Sequence, residues 1–302
     1  MTSSEIKNII HSNQEDISFL IGNGINKHYN DSVASWDDLL LELWNYTNPQ
    51  DRVAQTKIPL GISFTEFYDV LNINNNAEKS FESKIQKKVK DIILQWEANS
   101  AQNLMLNKIA EYNVPVLTTN FDELFKQTMG LEFFKITNEH FTDYYPWSSY
   151  YGREQLNSPL NGFGVWHING MVKYHRSIKL GLSHYMGNVN RVSNSLHNDF
   201  EKYDKETKRG SLYINSWLNI IFNKSIFIVG LALDENEIFL RWLLIQRAKY
   251  FHRFSDRKKQ GWYLIKKGKE NISDGKRFFL NSVGFEILEV DSYDVMYNDI
   301  WE

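Results

Sequence analysis

Short runs of β-branched, aromatic and aliphatic residues recur along this chain, and several are apolar at nearly every position. They are ISFLIG (Ile17–Gly22), PVLTT (Pro115–Thr119), VWHING (Val165–Gly170), SIKLGL (Ser177–Leu182), SIFIVG (Ser225–Gly230), WYLIK (Trp262–Lys266) and FEILEV (Phe285–Val290). A strand with one wet face alternates apolar and polar residues. A strand without that alternation needs cover on both faces, which means a parallel sheet between two layers of helices.

The segments between the runs have helical spacing. Trp36, Leu39, Leu40, Leu43 and Trp44 mark one helix face, behind a Ser35/Asp38 capping-box pattern. Long helical patterns fill Phe64–Glu111, with Ile85, Val89, Ile92, Ile93 and Trp96 as the expected buried stripe. Ile238, Trp242, Ile245 and Lys249 repeat the spacing after the SIFIVG run. Alternating strand and helix predicts an α/β, Rossmann-like, doubly wound and mostly parallel sheet with helices on both faces. The 302 residues read as a single domain, with a helical insertion over 47–111 and an irregular, lid-like loop over 138–164.

Composition narrows the chemistry. There is no cysteine, which excludes disulfides, a thiol nucleophile and a cysteine zinc site. With 34 Lys+Arg against 37 Asp+Glu, the net charge of −3 gives no general pull towards nucleic acid or anionic lipid. The basic stretch Arg257–Lys269 reads as the solvated edge of a strand, so no direct nucleic-acid binding is expected. The start, MTSSEIKNIIHSNQ, lacks an apolar signal core, and nowhere do 18 apolar residues run together. A cytoplasmic protein without membrane contact is expected. His175, His184 and His197 lack metal-ligand spacing, and no metal is expected.

Four segments could carry chemistry. Gly22 and Gly24 close the first strand, where peptide N–H groups can cradle a pyrophosphate; a tight turn with no ligand is the other reading. Asn120 and Asp122 follow the second strand, at the end of the sheet where doubly wound folds bind ligands. Asp122 also fits a plain helix start, whereas the Asn120 amide suits a ribose hydroxyl or a water. His167 and Asn169, two apart on a strand, are expected to share a face, with Gly170 leaving room behind them. Gly230 and Leu231 end the SIFIVG strand and suit the floor of an adenine pocket, ahead of the acidic helix start at Asp234, Glu235 and Glu237.

In this order, the segments resemble the sirtuin family, and more closely its branch of NAD-degrading proteins of bacterial anti-phage defence. The resemblance rests on Gly22-Asn23-Gly24-Ile25-Asn26, Ser35-Trp36, Thr118-Thr119-Asn120-Phe121-Asp122, Asn169-Gly170, Leu180–Tyr185, and Gly230 with Asp234, and spans residues 15–250. Two positions depart from the family pattern. Asn26 stands where serine is usual, and Asn169 stands where the family has its catalytic histidine. His167 lies ~7 Å earlier along the strand and is given that role, with substrate binding without catalysis as the other outcome.

The resemblance implies a sirtuin-like fold with NAD as substrate, cleaved to nicotinamide and ADP-ribose. Asn120 and His167 would act in catalysis, and Gly22 and Gly24 would accept the phosphates. Asn26 and Asp122 would position nicotinamide and ribose, with Asn169, Gly230 and Leu231 completing the site. It also implies a homo-oligomer and a separate defence protein, such as an ATPase or a nucleic-acid-guided sensor. Deacetylation is disfavoured, because deacetylating sirtuins typically carry a four-cysteine zinc module. A non-catalytic sensor of NAD or ADP-ribose, or an assembly module, remains the alternative. An NAD(P)-dependent redox enzyme is disfavoured because Lys27 occupies the third glycine position of GxGxxG.

Overall fold

A computed structural model of the chain describes residues 1–29, 35–47, 57–74, 79–97, 100–200, 213–268 and 272–302. Parts of the expected insertion (48–56, 75–78 and 98–99) and the end of the basic stretch (Lys269) lie outside the described residues. The strands are β1 (Ile17–Ile21), β2 (Pro115–Thr118), β3 (Glu132–Lys135), β4 (Ser149–Gly152), β5 (Gly164–His167), β6 (Ser225–Val229), β7 (Gly261–Lys266) and β8 (Glu286–Val290). They form one sheet in the order β3-β4-β5-β2-β1-β6-β7-β8. From β5 to β8 every neighbouring pair is parallel, and β4 and β3 extend the sheet antiparallel beyond β5. The nearly continuous apolar runs of β1, β2, β6 and β7 are therefore interior strands, as their lack of alternation requires.

Helices cover both faces. Ile17, Phe19 and Ile21 of β1 join a core with α1 (Ser3–Ser12), α6 (Ser100–Glu111) and the C-terminal residues Met296–Trp301. Leu20 faces the opposite core, built with α8 (Leu182–Phe200), α9 (Trp217–Asn223), α10 (Ile238–Arg253) and α11 (Asp274–Ser282). The short helices α2 (Gly24–Tyr29) and α7 (Leu124–Met129) follow β1 and β2. A third core lies among α3 (Trp36–Thr47), α4 (Phe64–Asn74) and α5 (Lys79–Ile93), where Ile85, Val89, Ile92 and Ile93 are buried as expected. The capping box before α3 forms, with Ser35 N–H donating to Asp38 Oδ2 (2.9 Å) and Asp38 N–H to Ser35 Oγ (3.1 Å).

Three expectations are corrected. Ser177–Leu182 is not a strand: it follows a 3₁₀ turn at His175–Ser177, and Ile178 and Leu180 pack into the third core. Gly170, at φ +105°, turns the chain back so sharply that the segment cannot extend the ladder; a Cβ there would lie 2.2 Å from the Ser177 carbonyl oxygen. The loop 138–164 is not an irregular lid, because it contains β4, whose residues are all buried. Tyr150 of β4 stacks on Trp166 of β5 at 4.7 Å, and that aromatic contact ties β4 to the parallel part of the sheet. On α10, Ile238, Trp242 and Ile245 are not the buried face. The core takes Phe239, Leu240, Leu243, Leu244 and Arg247, and Ile245 is exposed.

Candidate functional site

The chain leaves β1 towards β2 on one side and later returns on the other side through β6. The two connections diverge at the carboxyl ends of β1 and β6, where open α/β sheets bind ligands. A cleft of about 840 Å³ opens there, within the roughly 300–1,000 Å³ common for small-molecule sites. Its floor comes from five adjacent strands: residues at or beyond the ends of four, Asn169 (β5), Thr119–Asp122 (β2), Asn23 and Gly24 (β1) and Gly230–Ala232 (β6), and Tyr263–Lys266 along β7. Four strand spacings make this floor roughly 19 Å wide, an extent suited to a dinucleotide rather than a single sugar. Trp36 at the start of α3 and Phe64 and Trp96 of the insertion line another part, and Tyr293, Met296 and Tyr297 border the cleft from the C-terminal segment.

The glycine turn works differently from the expected phosphate cradle. Gly22 N–H donates to Val229 O (3.1 Å) and Gly24 N–H to Gly230 O (2.7 Å), so both amides are engaged within the protein. A Cβ on Gly22 would lie 2.5 Å from Gly230 O. One on Gly24 would lie 2.4 Å from the Tyr297 hydroxyl and 2.7 Å from Gly230 O. These glycines let the β1 and β6 turns cross in contact. Gly24 still lines the cleft with Gly230 and Leu231, whereas Gly22 lies behind its wall.

Past β2, a hydrogen-bonded lattice fixes the polar residues. Asn120 lines the cleft, half-buried, and its Nδ2 donates to Gly22 O (3.3 Å). Asp122 is buried at the cleft wall; Oδ1 accepts from Leu124 N–H (3.0 Å) and Oδ2 from Asn26 Nδ2 (3.0 Å). Asp122 thus holds the first N–H of α7 from a turn just ahead of the helix, whose N-cap residue, Glu123, makes no side-chain cap. Burial pushes its carboxyl above the ordinary range, against the pull of those donors. Asn26 is buried behind the wall, where it also donates to Asn23 Oδ1 (2.8 Å) and accepts from Gln102 (3.2 Å).

His167 is the main displacement from expectation. Its ring lies behind Asp122 rather than in the cleft, with Nε2 2.9 Å from the Asp122 carbonyl oxygen. A carbonyl only accepts, so Nε2 carries the proton and the neutral ring keeps its lone pair on Nδ1. Nδ1 is buried with no partner among the described residues, and burial lowers the ring's proton affinity. The expected shared face fails because regular strand geometry ends at His167, and the chain then bends into Gly170.

Asn169 takes the cleft position instead. It is 2% exposed, and its amide oxygen is buried without a partner among the described residues. The structure thus brings Gly24, Asn120, Asp122, Asn169, Gly230 and Leu231 into one cleft, and sets Gly22, Asn26 and His167 behind it. Glu237, Lys276 and Tyr297 also line it. In sequence, Glu237 looks like an acid complementing a helix dipole, and nothing local brings Lys276 or Tyr297 back to β1. Among the described residues, no three His, Asp or Glu side chains gather as a metal-ligating group, and no helix is long and apolar enough to cross a membrane. No protein-family model matches the chain, and no curated protein is significantly similar to it.

Proposed function

We propose that the chain is an NAD⁺ glycohydrolase, cleaving the nicotinamide–ribose bond to give nicotinamide and ADP-ribose. The observation that carries this reading is the buried, unpartnered amide oxygen of Asn169 beside Asn120, at the ends of adjacent strands in a cleft of dinucleotide length. A buried acceptor without a donor is costly, and a ribose hydroxyl or a held water would satisfy it. The reaction passes through an oxocarbenium-like state, so hydroxyls and water held in place do much of the catalytic work. Asn120 and Asn169 hold those groups, and His167 fixes the backbone of Asp122 from behind. The motif resemblance supports NAD as the substrate class. On the same resemblance, the protein acts in the cytoplasm as an anti-phage effector that depletes NAD, gated by self-assembly or by a separate defence protein.

The test is nicotinamide release from NAD by the purified chain over a range of protein concentrations, with Asn120→Ala and Asn169→Ala beside it. Both variants should keep the fold and lose most turnover. One observation favours a second reading, a sensor that binds NAD or ADP-ribose without cleaving it: asparagine stands where the family has its histidine, and His167 faces away from the cleft. Calorimetric binding of ADP-ribose with no nicotinamide release at any concentration would decide for that reading.

A further inference from the structure

Hydrolysis of a nicotinamide–ribose bond returns the bonding electron pair to the pyridinium nitrogen, so the leaving group needs no proton. What the site must supply is an acceptor for the proton of the attacking water. His167 presents neither ring nitrogen to the cleft. Both Asp122 oxygens are held by protein donors, Asp234 Oδ1 accepts from Asn236 N–H (2.9 Å), and Asp37 is exposed.

Glu237 differs from these. It lines the cleft at the start of α10, partly shielded from water, and caps nothing with its side chain. Among the described residues its carboxyl has no hydrogen bond or ion pair. Asn169 is held in place from its own side, where its carbonyl oxygen accepts from Lys179 N–H (3.1 Å) and Lys179 O accepts from the Tyr185 hydroxyl (3.2 Å). Glu237 and Asn169 line the same cleft. The turn delivering it holds Leu233 at φ +49°, a strained conformation for leucine of the kind that gathers at functional sites.

We propose that Glu237 is the general base of this cleft, taking a proton from the water that attacks C1′ of the nicotinamide ribose held against Asn120 and Asn169. The inference rests on the glycohydrolase reading. The new bond joins the water oxygen to C1′, the C1′–N bond breaks towards nitrogen, and the proton passes to the carboxylate. Burial and the neighbouring Asp234 push the Glu237 carboxyl up to about 7, so it gains its basic form through neutral pH. The surrounding donors are engaged elsewhere: Arg241 with Leu233 O (3.2 Å), Lys276 with Ala232 O (2.7 Å) and the Tyr263 hydroxyl with Leu231 O (2.7 Å).

The experiment measures nicotinamide release and, in parallel, ADP-ribose binding by calorimetry, for wild type and Glu237→Gln from about pH 5 to 9. Wild-type turnover is expected to rise about tenfold per pH unit on its acid side and level off above about pH 7. Glu237→Gln should lose about 10²–10⁴-fold in turnover, and the acid limb with it, at nearly unchanged ADP-ribose affinity. An active wild type with an equally active Gln variant, or a variant that loses ADP-ribose binding, overturns the base assignment and leaves the glycohydrolase reading standing. A wild type that binds ADP-ribose without releasing nicotinamide, or does neither, removes that reading and the base assignment together.

Discussion

A histidine ring that donates to a backbone carbonyl and buries its other nitrogen is suited to hold a wall in place. That role for His167 can be separated from proton transfer by substitution. Gln reaches far enough to donate to the Asp122 carbonyl but cannot act as a base at neutral pH. His167→Gln should therefore keep turnover within about tenfold of wild type, whereas His167→Ala should lose about 2–4 kcal/mol of stability with its activity. A loss in His167→Gln as deep as in His167→Ala, at wild-type stability, would return the ring to catalysis. The lowered proton affinity adds a pH signature. Below about 6.5 the unfolded chain binds a proton that the native ring refuses, so wild-type stability falls as pH falls and the Gln variant falls less. Glu237 has the opposite sign. Between the ordinary glutamate value of 4.5 and about 7 the native carboxyl holds a proton that the unfolded chain has lost, so stability declines as pH rises through that window. Glu237→Gln should melt above wild type at about pH 8 and converge with it near pH 5 in thermal denaturation. A variant that is more stable and less active is what a functional carboxylate predicts. Asn120 and Asn169 were legible as cleft residues because amides just past apolar strands have few structural uses, whereas Asp122 had a second reading as a helix start. Glu237 was not legible, since an acid before a helix already has a structural use.

At the scale of elements, the contact between the β1 and β6 turns sets the geometry of the cleft. Here the two-glycine pattern was legible but its purpose was not. The sequence shows that side chains are missing, and only the fold shows that the Gly230 carbonyl and the Tyr297 hydroxyl fill the space. Gly24→Ala should cost about 1–3 kcal/mol through overpacking, read by urea denaturation. Adding Tyr297→Phe should restore only part of that loss, because the Gly230 carbonyl still crowds the new methyl. A neutral Gly24→Ala would show that the crossing is looser than described. The interior parallel strands were legible because burial on both faces forces unbroken apolar runs. β3 and β4 were not, since each has four residues and β4, SYYG, reads as loop chemistry until Trp166 stacks against it. The α10 face was misjudged because apolar residues surround that helix, leaving its spacing without a unique phase.

Over the whole molecule, the cleft gathers parts of the chain that lie far apart in sequence. α3 supplies Trp36, the insertion supplies Trp96, the sheet ends supply the two asparagines, and the C-terminal segment supplies Tyr293 and Tyr297. A ligand long enough to touch all of them makes these parts stabilise one another. A mononucleotide on one half does not. ADP-ribose at about 100 times its dissociation constant should add about 2.7 kcal/mol to unfolding stability. The distribution of that gain is the sharper observable. Amide hydrogen exchange should slow in α3, in Thr119–Leu124, around Gly230–Leu233 and in Val295–Asp299 together. The β3–β4 edge, which contributes nothing to the cleft lining, should exchange at its free rate. AMP under the same conditions should protect only a subset of these segments. If ADP-ribose also protects only one half, the cleft does not hold a dinucleotide across its width, and Asn169 and Glu237 would have to be assigned to a smaller ligand.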